Sequence, residues 1–146
     1  MLLAGLIVGG IFFYNRLRQQ TNAPAPYNAY LTQASELQQQ PVPGEPIDKA
    51  IYYSQLAQNY NAAKYYDQAL NNFLQAQAII DQNNLQDQIV FYRPIADVYK
   101  AKNDKTKERE YLQKYAAYLH TYLQTHPDDI PTSQVIKDIE QEMNHL

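Results

Sequence analysis

Apolar and small side chains return every three or four positions along residues 53–76, which is the spacing of one face of an α-helix. The segment 61–67 (NAAKYYD) separates two such runs, because Asn61 can loosen the first helix and Asp67 or its neighbours can begin the second. The pattern therefore predicts a hairpin of two helices over about residues 47–81. Its predicted core consists of Tyr53, Leu56, Ala57, Tyr60, Ala69, Phe73 and Ala76.

Helical periodicity also occurs on both sides of this hairpin. Residues 27–39 place tyrosine, leucine and alanine on one face, and the proline-rich segment 40–46 ends that helix. Residues 105–125 form a longer stripe, which His126 and Pro127 end. A last amphipathic helix is predicted from about Thr132, and we expect it to cap the helical stack. The apolar positions of this last helix are Val135, Ile136, Ile139, Met143 and Leu146. The predicted fold class of the chain is all-α.

A second copy of the hairpin pattern follows the first after 39 residues. Tyr92, Ile95, Ala96 and Tyr99 reproduce the spacing of the first copy's leading helix. In its second helix, however, Glu108 and Tyr115 stand where the first hairpin has alanines, so we expect packing that is either looser or differently angled. Pro94 lies inside the pattern and predicts a kink, because proline cannot donate a backbone hydrogen bond.

The order aromatic-x2-Leu-Ala-x2-Tyr, then Ala-x3-Phe-x2-Ala, resembles one tetratricopeptide repeat, with Tyr53 where tryptophan is usual and Ala57 where glycine is usual. The resemblance covers about residues 47–125 and is partial in the second hairpin. It implies a stack of about two repeats, whose leading helices line a groove for an extended peptide or a partner helix. By register, the residues of that groove are Ser54, Gln55, Gln58, Asn61, Arg93, Asp97 and Lys100. The subgroup that binds chaperone tails has a clamp of Lys, Asn and Arg residues, but the matching positions here are Ser54, Gln55, Gln58, Val90 and Pro94, so the clamp is absent. The expected ligand is therefore a polar peptide, and the alternative is that Gln58, Asn61 and their neighbours are solvated helix surface.

The first 14 residues, MLLAGLIVGGIFFY, are uncharged and almost wholly apolar. As a helix they would extend roughly 21 Å, which is short for a hydrocarbon core of roughly 30 Å. We interpret residues 1–18 as a transmembrane or signal-anchor helix, with a cleaved signal peptide and a buried globular helix as alternatives. Residues 19–26 (QQTNAPAP) are predicted to be a proline-containing linker, and residues 27–146 a tetratricopeptide-like domain.

The predicted localisation is a single-pass membrane protein held through residues 1–14. Arg16 and Arg18 follow the apolar run directly and favour a cytoplasmic domain, while an extracytoplasmic domain remains an alternative.

Composition and charge exclude several classes of function. The chain has 12 basic and 15 acidic residues, a net charge of -3, and no basic stripe that would neutralise nucleic-acid phosphates. It has no cysteine, which excludes a disulfide framework and a thiolate metal site. His120, His126 and His145 lack the spacing of a metal motif. We therefore predict no enzyme activity, no catalytic residue, no cofactor and no metal.

Together these observations predict a membrane-anchored module that binds a protein or peptide partner, as an adaptor or assembly factor. The alternative is a structural accessory subunit of a membrane complex, without a peptide groove. In that case Tyr115, Tyr118 and Tyr122 would be permanent contacts.

Overall fold

The computed structural model describes residues 27–85 and 90–146, and the regular structure in these residues is entirely helical. This fits the all-α part of the predicted fold class. The helices are α1 (Tyr27–Gln38), α2 (Pro46–Ala62), α3 (Tyr66–Gln82), α4 (Tyr92–Ala101), α5 (Lys105–Thr125) and α6 (Ile130–Asn144).

The transmembrane part of the predicted fold class is corrected by the structure. Among residues 27–85 and 90–146, no helix is both long enough and apolar enough to cross a bilayer. The longest, α5, has 21 residues but carries exposed charges such as Lys107, Arg109 and Lys114. The predicted single-pass localisation is contradicted by the same finding. The segment predicted to cross, residues 1–18, and the linker 19–26 lie outside the described residues.

The chain divides into two compact units, Met1–Phe91 and Tyr92–Leu146. In the described part of the first unit, α1 packs on α2 through a cluster of Ala34, Tyr52 and Leu56. The helices α2 and α3 form the predicted hairpin, and Ala57, Ala69 and Ala76 within it have no exposed surface. Small side chains at these positions let the two helices approach closely.

The second unit contains α4, α5 and α6. The helices α4 and α5 form the second hairpin, and α6 packs on α5. Their shared core consists of Ala96, Leu112, Ala116, Leu119, Ile136 and Ile139. The last helix thus covers apolar surface of this hairpin, in the manner expected of a cap.

The two hairpins share the same turn, 39 positions apart. After α2, the amide of Tyr65 donates to the carbonyl of Tyr60 at 2.8 Å, and Lys64 has a φ of 63°. After α4, the amide of Asp104 donates to the carbonyl of Tyr99 at 2.9 Å, and Asn103 has a φ of 59°. Both are Schellman ends, in which a left-handed residue closes the helix.

Burial follows the same offset. Leu56 and Ile95 are buried at equivalent positions of the two hairpins, as are Ala57 and Ala96, and Phe73 and Leu112. At the position of Ala69, the second hairpin has a buried Glu108. At this position the second hairpin therefore departs from the repeat pattern by placing an acidic side chain in its interior.

The prediction of a kink at Pro94 is wrong, because α4 begins only two residues before this proline. This helix starts at Tyr92, so Pro94 is its third residue. Amides in the first turn of a helix have no intrahelical acceptor, and a proline there removes no hydrogen bond.

Candidate functional site

A groove of about 450 Å³ lies in the first unit. Side chains from α1, the loop after it, α2 and α3 line it. They are Gln38, Val42, Tyr52, Tyr53, Leu56, Tyr60, Gln68, Asn71, Asn72 and Gln75.

Three tyrosines of α2 give the groove its aromatic surface. Tyr52 is 7% exposed, while Tyr53 and Tyr60 are half-buried and pack against the same cluster. The rings of Tyr52 and Tyr53 meet edge to face, with centroids 5.3 Å apart. This packing holds the rings in place, because each of them also contacts the core of the unit.

The α3 side of the groove consists of carboxamides. Gln68, Asn71, Asn72 and Gln75 follow the i, i+3, i+4, i+7 spacing and therefore share one face of the helix. Asn72 Nδ2 donates to the carbonyl of Gln68 at 2.8 Å. The side chains of Gln68, Asn71 and Gln75 form no hydrogen bond within residues 27–85 and 90–146. Each thus offers an amide donor and a carbonyl acceptor on an exposed surface.

No charged side chain occurs among the ten described residues that line the groove. The groove is therefore polar and aromatic, but neutral.

The residues of α2 that were expected to line a binding groove are not among the residues that line this one. Ser54 is 7% exposed, and its Oγ accepts a hydrogen bond from Gln58 Nε2 at 3.1 Å. Gln55 is exposed and Asn61 half-buried. Instead, three residues predicted as core, Tyr53, Leu56 and Tyr60, line the groove.

All predicted core positions except Tyr53 and Tyr60 are buried. Leu56, Ala57, Ala69, Phe73 and Ala76 are at most 2% exposed. Sequence reasoning missed Tyr52, which packs against α1, because the repeat register points to its neighbour Tyr53.

In the second unit, the structure brings Arg93, Asp97 and Lys100 together in one ion cluster. Arg93 Nε is 2.9 Å from Asp97 Oδ1, and Arg93 Nη1 is 2.6 Å from Glu142 Oε2. Lys100 Nζ lies 2.5 Å from Glu142 Oε1 and 3.9 Å from Glu108 Oε1. Arg93 and Lys100 thus pair with Glu142 of α6, and Lys100 also lies near Glu108 of α5, while Asp97 pairs with Arg93 on α4 itself.

Burial and pairing move the pKa values of these acids in opposite directions. Burial raises the pKa of Glu108, and Lys100 only partly offsets this effect. Burial also acts to raise the pKa of Glu142, but hydrogen bonds from Lys100 and Arg93 outweigh it and lower the pKa overall. The hydrogen bond to Glu142 likewise raises the pKa of Lys100. Glu142 is therefore an ionised residue whose ion pairs connect α6 to α4. Glu108, in contrast, is a buried acid whose nearby cation only partly offsets the cost of burial.

The sequence carried no local signal for Glu142, because its partners lie 42 and 49 positions away. The periodicity of α6 places it among the polar positions of an amphipathic helix. Only the packing of α6 shows which charges it faces.

Within the described part of the chain, no group of three or more histidine, cysteine, aspartate or glutamate side chains could hold a metal ion. His120 Nε2 lies 3.5 Å from Glu140, and His126 stacks on Tyr122 with ring centroids 4.2 Å apart.

Comparison with protein-family models, with curated proteins and with solved structures gave no match. The resemblance to tetratricopeptide repeats therefore rests on the residues of this chain alone.

Proposed function

We propose that this chain is a non-enzymatic, tetratricopeptide-like module that binds a segment of a partner protein. The observation that carries the proposal is the groove of about 450 Å³ in the first unit. Its lining combines tyrosine rings, which provide contact area, with carboxamides, which provide hydrogen bonds.

The hairpin supports this function by holding the groove on regular helices. Tyr53 and Tyr60 are fixed by their packing on the α1–α2 cluster, and α3 is held by its buried alanines. Groups held in place before binding lose little conformational entropy when a ligand arrives, which favours affinity.

The alternative of a structural subunit joined to its complex through tyrosines of α5 receives less support. Tyr115 and Tyr118 pack against the core of their own unit, and Tyr122 stacks on His126. The groove tyrosines also have such contacts, but they share their lining with Gln68, Asn71 and Gln75, whose side chains form no hydrogen bond within the described residues. The groove is therefore the better candidate for partner binding.

A peptide selection tests the proposal. Random peptides displayed on phage are selected on the immobilised full chain, and enriched sequences are synthesised and titrated by calorimetry. We expect stoichiometric binding that Tyr53→Ala weakens, because Tyr53 lines the groove.

The matched control is Tyr92→Ala, at the equivalent position of the second hairpin, which should leave binding unchanged. Circular dichroism verifies that both variants are folded. Absence of any enriched peptide, or equal loss of binding in both folded variants, would contradict the proposal.

A further inference from the structure

We propose that the groove takes an extended peptide segment without charged side chains, and that carboxamides of α3 pair with its backbone. This inference rests on the proposed function, because it names the chemistry of the partner segment for the same groove.

The spacing of the carboxamides supports an extended backbone as the ligand. Residues four apart on a helix are separated by about 6 Å along its axis. In an extended chain, residues two apart are separated by roughly 6.6 Å. The pairs Gln68 and Asn72, and Asn71 and Gln75, are each four apart on the groove side of α3. Carboxamides at this spacing can meet every second peptide unit of an extended segment.

The hydrogen-bonding capacity of these groups matches the same ligand. A peptide unit presents one N–H donor and one C=O acceptor, and a carboxamide complements both. Gln68, Asn71 and Gln75 are exposed and form no side-chain hydrogen bond within the described residues. A peptide backbone would therefore replace water at these groups without breaking an intramolecular bond.

The aromatic residues of the groove lining belong to α2. Tyr53 and Tyr60 are seven positions apart and half-buried, with Leu56 between them on the groove lining. In an extended segment alternate side chains point to the same side, so those facing α2 would contact aromatic and apolar surface. Uncharged residues suit this surface.

The lining of the groove favours segments without charged side chains. The described lining residues include no lysine, arginine, aspartate or glutamate. A charged ligand side chain would therefore find no partner of opposite charge among them, whereas an uncharged side chain needs none.

Tyrosine and carboxamide side chains also suit a neutral oligosaccharide, which lacks peptide N–H groups. The helical spacing of the carboxamides favours the peptide, because it matches a two-residue backbone repeat. The oligosaccharide is therefore included as a competing outcome of the experiment.

The experiment uses the full chain and the double variant Asn71→Asp with Gln75→Glu. Each substitution keeps the size of the side chain but replaces the amide donor with an acceptor. Phage-displayed random peptides are selected on the unaltered chain without prior depletion on the double variant. Enriched peptides are synthesised, titrated by calorimetry, and resynthesised with an N-methyl group at each position in turn.

We expect uncharged peptides whose affinity falls about tenfold or more in the double variant, because two hydrogen bonds are lost. N-methylation should weaken binding at every second position. The matched control, Gln82→Glu, changes an exposed carboxamide of α3 outside the groove lining and should leave affinity unchanged. Circular dichroism of each variant verifies its fold.

Three results would overturn this inference while leaving the proposed function in place: enriched peptides with charged residues at the sensitive positions, equal binding by the double variant, or no alternation in the N-methyl series. Binding of maltohexaose or chitohexaose that the double variant loses, with no peptide enriched, would overturn both. Titration of the same peptides against Tyr53→Ala separates the two failures: weaker binding to this variant supports the proposed function whichever way the double variant behaves.

Discussion

Glu108 is an acidic residue in a buried position with little pairing. Its side chain is 3% exposed, the nearest cation, Lys100 Nζ, is 3.9 Å away, and its Oε1 has no hydrogen-bond partner within the described structure. On the same helix, Glu110 is paired with Lys107 and Lys114, and these hydrogen bonds lower its pKa to about 2. The difference lies in burial and pairing rather than in residue type, and it predicts opposite responses to substitution.

We expect Glu108→Met to stabilise the protein by about 1–2 kcal/mol at neutral pH, because methionine fills a similar volume without burying a charge. Urea unfolding followed by circular dichroism measures the change. The matched control, Glu110→Met on the exposed face of α5, should give no gain, since it removes two ion pairs. A loss of stability in Glu108→Met would show that the buried carboxylate stabilises the hairpin.

The pH dependence of that gain follows from the raised pKa of Glu108. A carboxyl whose pKa is higher in the folded than in the unfolded state favours folding in its protonated form. Its unfavourable contribution begins as pH rises above the ordinary glutamate value of about 4.3 and is complete above the folded-state pKa. The stability difference between Glu108→Met and the unaltered chain should therefore grow with pH across this window. Urea unfolding at a series of pH values measures it, and a difference independent of pH would contradict the assignment.

Glu142 should behave in the opposite way. Its carboxylate receives hydrogen bonds from Arg93 and Lys100, and its pKa is lowered. We expect Glu142→Gln to destabilise the protein by about 1–2 kcal/mol at neutral pH, because charge-assisted bonds between α4 and α6 are lost. A group with a lowered pKa stabilises above its unfolded value, so this effect should vanish as pH falls through the folded-state pKa.

The control for this variant is Glu140→Gln, which lies on α6 with a side chain that is 53% exposed. It should change stability by less than about 0.5 kcal/mol. Urea unfolding of both variants at neutral and acidic pH makes the comparison. Equal effects of the two substitutions at neutral pH would mean that the ion cluster contributes no more than surface charges do.

At the scale of the elements, the turns after α2 and α4 define where each hairpin reverses. Asn103 has a φ of 59°, which asparagine and glycine tolerate and β-branched residues do not. We expect Asn103→Val to destabilise the second hairpin by about 1–2 kcal/mol, and Asn103→Gly to be neutral or slightly stabilising. Thermal unfolding of the pair measures this, and a valine variant as stable as the glycine variant would exclude a left-handed requirement at this turn.

Element positions were largely predictable from the sequence, because periodicity and capping are local properties. The predicted bounds of α5, residues 105–125, are those of the structure, with Asp104 as its cap. The consequence of Pro94 was predicted incorrectly, because it depends on where α4 begins. The groove was not predicted, since its lining combines Tyr52, next to the repeat register, with carboxamides of α3 that a pattern search assigns to solvent.

At the scale of the whole chain, the 39-residue offset relates two hairpins with the same turn and with several equivalent buried positions, among them Leu56 and Ile95. The offset is visible in sequence through tyrosines and alanines, and in structure through the starts of α3 and α5 at Tyr66 and Lys105. Equivalent positions should therefore respond equally to the same substitution, although their neighbours differ in sequence.

Ala57 and Ala96 test this equivalence, since they are 0% and 1% exposed at corresponding positions of α2 and α4. We expect Ala57→Leu and Ala96→Leu each to destabilise the protein by about 1–3 kcal/mol, because extra methylene groups overpack the contact of the helix with its partner. Exposed alanines provide matched controls: Ala78→Leu in the first hairpin and Ala101→Leu in the second should have little effect. Urea unfolding measures all four variants. Tolerance of leucine at one buried position but not at the other would show that the repeat in sequence does not extend to an equivalent approach of the helices.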